Sequence, residues 1–194
     1  MPRTGLDTET VVAAAAALAD AEGLQAVTLA RVAKALDVRS PSLYVHVGGL
    51  PDLRRRLAAR GAGEITALLR AAAAGRAGAD ALAAVAGVYR RYAREHPGTY
   101  AATQNTTNLS DPDAGEAAAA FLDTILAVLR GYDLDEDHAL HATRVVRSAL
   151  HGFVSLETDH GFGMPLDLDE SFETLIAVLD QGLRARAIPR SSGN

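Results

Sequence analysis

The chain has 194 residues and a formal net charge of −5, with 48% hydrophobic and 22% charged residues, which excludes collagen-like and wholly disordered classes. It contains no cysteine, which excludes disulfides, thiol nucleophiles and Cys-ligated metal centres and favours a cytoplasmic setting. No segment approaches the roughly 18 uninterrupted apolar residues of a membrane span, so we expect no contact with a membrane.

Apolar residues recur at helical spacing along almost the whole chain, and no alternating strand pattern is present. The sequence therefore predicts an all-α protein of about nine helices. The predicted segments are residues 8–22, 29–36, 41–47, 51–74, 80–95, a short turn or helix reaching 104, 112–129, 135–160 and 168–183. We expect a loop at 105–110, a cap at Asp111 and a frayed end after Pro189.

Capping residues mark the starts of the first three helices. Asp7 or Thr8 can cap the first helix, and Gly23 is placed for its left-handed stop. Thr28 caps the second helix. Ser40 at N-cap followed by Pro41 opens the third helix after a short connection. Two short helices joined by a tight turn follow from this pattern.

This pattern is typical of a helix-turn-helix, whose second helix enters the major groove of DNA. Leu43 and Val47 would face inward. The outward side chains, which can reach phosphates or base edges, are Arg39, Ser40, Ser42, Tyr44 and His46. An ordinary helix start with Tyr44 as half-buried packing explains the same residues, and helical proteins without DNA contain such hairpins too.

Charge is unevenly distributed along the chain. Residues 1–60 carry eight Lys+Arg and six Asp+Glu, a balance of +2, and residues 61–194 carry the remaining eleven basic and eighteen acidic residues, a balance of −7. A basic head on an acidic body fits a polyanion-binding module. Arg54, Arg55 and Arg56 are either a solvated face or additional phosphate contacts.

The run from Ala33 to Val47, with its Leu-Tyr-x-His core, resembles the helix-turn-helix of the TetR family of bacterial repressors, and Ala21 to Thr28 matches as well. The resemblance implies that Thr28 and Tyr44 contact phosphates. It places Arg39, Ser40, Pro41, Ser42 and His46 at or near base edges. Two positions depart from the family pattern: Asp37 replaces the usual turn glycine, and Gly48-Gly49-Leu50 lacks the lysine common there, which removes one phosphate contact.

Residues 89–100 and 150–157 resemble the C-terminal domain that is named for a Trp-His-Gly motif, with Leu150 in place of the tryptophan. The resemblance implies a DNA-binding domain at 1–50 and a ligand-binding, dimer-forming domain at 51–194. It implies a regulator without enzymatic activity or cofactor, released from a palindromic operator by a small organic effector. The alternative is a helical dimer that acts as a protein-interaction module without DNA.

Aromatic residues outside the head concentrate on the fifth, seventh and eighth predicted helices and beside them. Together with a few polar tips, they have the composition of a small-molecule pocket. The candidate effector-binding residues are Tyr89, Tyr92, Tyr100, Gln104, Phe121, His151 and Phe153. A filled core with tyrosine hydroxyls at its surface is the alternative.

The last two predicted helices carry more apolar surface than a small body can cover. The stripe that ends in Leu179, Gly182 and Leu183 predicts pairing of two copies as a four-helix bundle about a two-fold axis. Glu157 and His160 form a Glu-x-x-His pair, and His138 and His141 are also three residues apart. A carboxylate-bridged pair of metal ions needs two Glu-x-x-His pairs and two further glutamates, so we expect no metal.

Overall fold

The computed structural model describes residues 6–104 and 112–186, with the side chains of 112–114 excepted. These ranges form eight α-helices and three 3-10 helices and contain no strand. The α-helices are α1 Thr8–Glu22, α2 Leu29–Ala35, α3 Leu50–Ala73, α4 Gly78–Glu95, α5 Pro97–Gln104, α6 Pro112–Leu129, α7 Glu136–Thr158 and α8 Leu168–Arg184. The 3-10 helices are Leu24–Ala26, Ser40–Val45 and Arg130–Tyr132.

The all-α prediction is confirmed, because each predicted segment that the structure describes is helical. The expected loop at 105–110, the cap at Asp111 and the chain end after Pro189 lie outside the described residues. In the described part of the chain, no helix is both long enough and apolar enough to cross a membrane.

Short-range capping fixes the helix starts. The Asp7 carboxylate accepts from the Thr10 N–H at 2.7 Å, and the Thr28 hydroxyl oxygen accepts from the Arg31 N–H at 3.3 Å. Asp135 and Asp167 cap α7 and α8 in the same way. Each side chain satisfies an N–H that has no partner within its helix, so these boundaries fall close to where the sequence predicts them.

The third helix differs from its prediction. It is a 3-10 helix over Ser40–Val45, and its N-cap is Arg39 rather than Ser40. The Arg39 carbonyl accepts from the Ser42 N–H at 2.9 Å, which closes a tight four-residue turn that contains Pro41. A segment this short forms few internal hydrogen bonds, so its anchors in the core decide its winding.

The chain divides into two compact units. Unit 1 comprises Met1–Glu64 and Glu95–Ala118, and unit 2 comprises Ile65–Arg94 and Ala119–Asn194. In unit 1, α1, α2 and the start of α3 enclose an apolar core. Its fully buried side chains are Val11, Ala15, Ala19, Val27, Val32, Leu43, Leu53 and Leu57.

The α5 helix packs directly on α1 in unit 1. A Cβ on Gly98 would overlap the backbone carbonyl of Ala19, so the two helices approach at the distance that only glycine permits. The Asp20 carboxylate accepts from the Thr99 N–H at 2.7 Å and from the Thr99 hydroxyl at 3.1 Å, and lies 3.1 Å from His96 Nδ1. Asp20 of α1 therefore caps the start of α5.

Apolar residues of α4 are buried in unit 2. The face that the sequence predicts is buried: Leu82, Val85, Ala86, Tyr89 and Tyr92. Unit 2 also contains buried apolar residues of α6 and α7, including Ile125, Leu129, Val146, Leu150 and Val154.

Candidate functional site

The turn after α2 forms without its usual glycine. Asp37 adopts the left-handed conformation at φ 54°, which an aspartate tolerates better than most residues. The Val38 N–H donates to the Ala33 carbonyl at 3.0 Å, and the Asp37 N–H donates to the Lys34 carbonyl at 3.2 Å. This pair of bonds is a Schellman motif, so the tight turn of a helix-turn-helix is present with Asp37 in the glycine position.

Buried anchors on both sides hold the 3-10 helix that follows this turn. The side chains of Leu43 and Val47 are 0% and 2% exposed, as the inward positions of the sequence prediction require. The Thr8 hydroxyl of α1 donates to the His46 carbonyl at 3.2 Å. The segment is thus fixed to the core by its inner face, and its outer face remains open.

The predicted DNA-contacting residues all lie in unit 1: Thr28 caps α2, and the other six lie within residues 39–46. Tyr44 is 62% exposed, so it does not serve as half-buried packing. Four other predicted residues are also exposed: Thr28, Arg39, Pro41 and Ser42. The remaining two, Ser40 and His46, are half-buried. Sequence reasoning omitted Val45, which is 84% exposed.

The arginine run at the start of α3 is organised by Asp52. Its carboxylate binds Arg55, lies 2.9 Å from Arg56 Nε, and accepts from the Gly48 N–H at 2.9 Å. The Gly48 N–H first, and the two guanidinium groups after it, lower the pKa of Asp52 to about 2. Two of the three arginines therefore have an acidic partner in the free protein.

Five of the predicted effector-binding residues lie in unit 2. Tyr89 and Tyr92 are buried on α4, and His151 is half-buried, with Nδ1 3.5 Å from the Ser155 hydroxyl. Phe121 is half-buried, and the guanidinium carbon of Arg147 lies over its ring, 6.0 Å from the ring centroid. Phe153 packs against Phe162 and Phe172, with ring centroids 5.0 Å apart in each pair.

The other two, Tyr100 and Gln104, lie on α5 in unit 1. Tyr100 is buried, and the Gln104 amide donates to the Thr103 hydroxyl at 2.8 Å. The effector-binding assignment of all seven residues stays a prediction.

Unit 2 also contains a surface groove of about 480 Å³ between α6 and the start of α7. None of the predicted effector residues lines it. Its lining residues are Asp123, Leu126, Leu129, Arg130, Leu134, Glu136, Ala139 and Leu140.

A buried ion pair that sequence reasoning missed lies in unit 2. The Arg90 guanidinium of α4 donates to both oxygens of Glu157 at 2.7 and 2.8 Å, and its Nη1 is 2.8 Å from Asp169 Oδ1. The Arg90 carbon Cζ lies 5.4 and 4.8 Å from the ring centroids of Phe153 and Phe172. Hydrogen bonding to Glu157 is the main cause of the raised pKa of Arg90.

Glu157 is therefore a partner of Arg90 rather than half of a Glu-x-x-His metal pair. The signal in the sequence was Arg90 itself, one turn after Ala86 on the apolar face of α4, where a buried cation requires a carboxylate. Across residues 6–104 and 112–186, no three acidic or histidine side chains are grouped so that they could hold a metal ion.

Comparison with known proteins agrees with this architecture. Residues 82–179 match the family model of the tetracyclin repressor-like C-terminal domain. The chain is 38% identical over 182 residues to the uncharacterized HTH-type transcriptional regulator Rv0681 of Mycobacterium tuberculosis, covering 93% of this chain and 83% of that protein.

Two solved structures share the fold. A Rhodococcus protein of unknown function aligns with a TM-score of 0.80 at 21% identity, covering 95% of this chain and 99% of the other. A TetR variant from Acinetobacter baumannii, in complex with minocycline, aligns with a TM-score of 0.70 at 23% identity, covering 95% and 100%.

The match to the C-terminal domain and the similarity to an HTH-type regulator together span the helix-turn-helix and the helical body. Members of this family are DNA-binding regulators and not enzymes. The chain belongs to the TetR family of transcriptional regulators.

Proposed function

We propose that this protein is a repressor that binds a palindromic operator as a homodimer and leaves it when a small organic effector binds. The observation that carries the proposal is the outer face of residues 39–46, which is exposed while Leu43 and Val47 anchor it in the core. Residues 1–50 would form the DNA-binding domain, and residues 51–194 would bind the effector and form the dimer.

The exposed chemistry suits the major groove. Thr28 and Tyr44 present hydroxyls to phosphates, and Arg39 and His46 present donors to base edges. Ser40, Pro41 and Ser42 are small enough to let the backbone approach the bases closely. Since phosphate contacts dominate such binding, the affinity should fall steeply as salt increases.

The first experiment is a mobility-shift titration against the DNA upstream of the protein's own gene. Arg39→Ala and His46→Ala should each weaken binding by about 1–3 kcal/mol, the usual value of a direct base contact. Arg91→Ala is the matched control, because Arg91 is exposed on α4 in unit 2. Absent or salt-insensitive binding would contradict the repressor function and favour a protein-interaction module.

Dimerisation is supported by apolar surface that α7 and α8 leave open. Val145 and Leu156 on α7 are 55% and 49% exposed, and Val178 on α8 is 60% exposed. Gly152 and Gly182 lie on the same two helices, and a Cβ on either would meet nothing in its own chain. Helical glycine costs about 1 kcal/mol relative to alanine, and close approach of a partner helix would offset that cost.

This face shares Gly182 with the stripe that the sequence predicts, but it does not include Leu179 or Leu183. Leu179 and Leu183 are only 9% and 6% exposed, because they pack within their own chain. Val178→Arg should therefore weaken dimerisation in light scattering and operator binding together, with the fold retained. Leu68→Arg is the control, since Leu68 is an exposed leucine on α3. A wild-type monomer at micromolar concentration would overturn the dimer.

The proposed effector-binding residues are those predicted from the sequence. Tyr89, Tyr92, Phe121, His151 and Phe153 lie in unit 2, and Tyr100 and Gln104 lie in unit 1. The structure of the Acinetobacter protein with minocycline supports a small organic ligand for this fold. The test is a thermal-shift screen of apolar compounds followed by operator titration. A compound that stabilises the protein and leaves operator affinity unchanged would contradict coupling, because release requires different affinities for two states.

A further inference from the structure

The 3-10 winding of Ser40–Val45 changes which side chains share a face. Side chains three residues apart eclipse one another in a 3-10 helix, so Ser42 and Val45 lie one above the other. Both are exposed, as is Arg39 at the N-cap. An α-helix would instead place Pro41 in line with Val45. The exposed side chains at intervals of three residues are thus the cation of Arg39, the hydroxyl of Ser42 and the apolar side chain of Val45.

Val45 is the most exposed large apolar side chain in the described part of the chain, at 84%. Its neighbours fix its position: Leu43 is fully buried, and the Thr8 hydroxyl binds the carbonyl of His46. A β-branched side chain also has little rotamer freedom to lose on contact. Val45 is therefore a rigid apolar group held outward between anchored residues.

An apolar side chain can recognise one feature of the major groove. The thymine C5-methyl group is the apolar group on the base edges there, and cytosine lacks it. Valine has no donor or acceptor, so it cannot read the hydrogen-bonding edges of the other bases.

We propose that Val45 is a specificity-determining residue that contacts one thymine methyl in each half-site. The inference rests on the proposed operator binding. With about 2.0 Å of rise per residue, Ser42 and Val45 lie roughly 6 Å apart along the helix.

The test uses an operator selected by the wild-type protein from a random duplex library. Each thymine of the half-site is replaced symmetrically by uracil, which removes the methyl group and keeps the base-pairing edge. Replacing the contacted thymine in both half-sites should weaken wild-type binding about fifteenfold. This loss is about fourfold for each half-site, the value of one buried methyl group. Restoring the methyl as thymine restores affinity, and uracil elsewhere in the operator is the internal control.

Val45→Ala should bind the thymine operator with a similar loss and show no further loss on that uracil replacement. Its thermal midpoint should match the wild type, since the side chain is exposed. Equal uracil sensitivity in wild type and Val45→Ala, or no sensitive thymine in the half-site, would overturn the assignment and leave the repressor function intact. Failure of the library to yield any preferred sequence would overturn both.

Discussion

The contact between α5 and α1 yields the sharpest prediction about stability. In Gly98→Ala, the new Cβ would lie 2.8 Å from the Ala19 Cα and closer still to the Ala19 carbonyl. Carbon atoms ordinarily approach to about 3.5–4.0 Å, so α5 has to retreat by about 1 Å or more. The obstacle is backbone, which cannot rotate away as a flexible side chain can.

The retreat also breaks the cap that Asp20 provides. The hydrogen bond from the Thr99 N–H is 2.7 Å long, and moving α5 by about 1 Å or more takes it past useful geometry. Overpacking costs about 1–3 kcal/mol and a lost cap about 1 kcal/mol, while alanine returns up to about 1 kcal/mol of helix propensity. We expect a net loss of about 1–3 kcal/mol, or roughly 2–12 °C in thermal midpoint.

Thermal and urea unfolding measure this loss, with two other helical glycines as matched controls. A Cβ on Gly63 or Gly87 meets nothing within 4 Å, so Gly63→Ala and Gly87→Ala should stabilise the protein by up to about 1 kcal/mol each. If Gly98→Ala unfolds within about 0.5 kcal/mol of these controls, α5 does not pack on α1 as described.

Three further predictions concern polar groups. The pKa of Asp52 is about 2 in the folded protein, below its value in the unfolded chain, so its contribution to stability is complete above about pH 4 and is lost as the pH falls towards 2. Urea titrations at neutral pH should show Asp52→Asn to be less stable than wild type by up to about 2 kcal/mol. That difference should shrink as the pH falls from about 4 to about 2. Glu157→Gln should destabilise the protein by about 3 kcal/mol, because it leaves the buried Arg90, which is 8% exposed, without its anionic partner. Arg94→Ala is the control and should cost under about 1 kcal/mol, because the Arg94 guanidinium is mostly exposed and lies 4.0 Å from Glu157. Equal losses of stability in the two variants would refute a buried pair. Thr66 is 4% exposed, and its hydroxyl has no hydrogen-bond partner among the described residues. Thr66→Val should therefore raise the free energy of unfolding by about 1 kcal/mol. A loss of that size would show that the hydroxyl is hydrogen-bonded.

Helix boundaries were predictable because their determinants are local. Asp7, Thr28 and Asp135 each cap a helix by accepting from an N–H three residues ahead, a relation that the sequence displays directly. The apolar faces of α1 and α4 follow equally from spacing. The helix-turn-helix could be recognised for the same reason, since its turn, its caps and its inward Leu43 and Val47 lie within about twenty residues.

Contacts between distant segments could not be predicted in this way. The sequence His96-Pro97-Gly98 looks like the end of α4, and α4 does end at Glu95. Gly98 is nevertheless inside α5, and its lack of a side chain serves contact with Ala19, which is 79 residues earlier. The partners Arg90 and Glu157 are 67 residues apart, and their spacing in sequence carries no sign of the pairing.

The exposed faces of two segments differ from those that the sequence predicts. Periodicity identifies which residues share a face, but it assumes a winding and does not say what covers that face. Val45 was omitted from the outward side chains, although a helix with Leu43 and Val47 inward places residue 45 on the opposite side at either winding; the 3-10 winding adds that Val45 lies in line with Ser42. On α8 the period was right, yet Leu179 turned inward and left Val178 open, because the helix carries apolar residues on two faces and the packing of unit 2 buries only one of them.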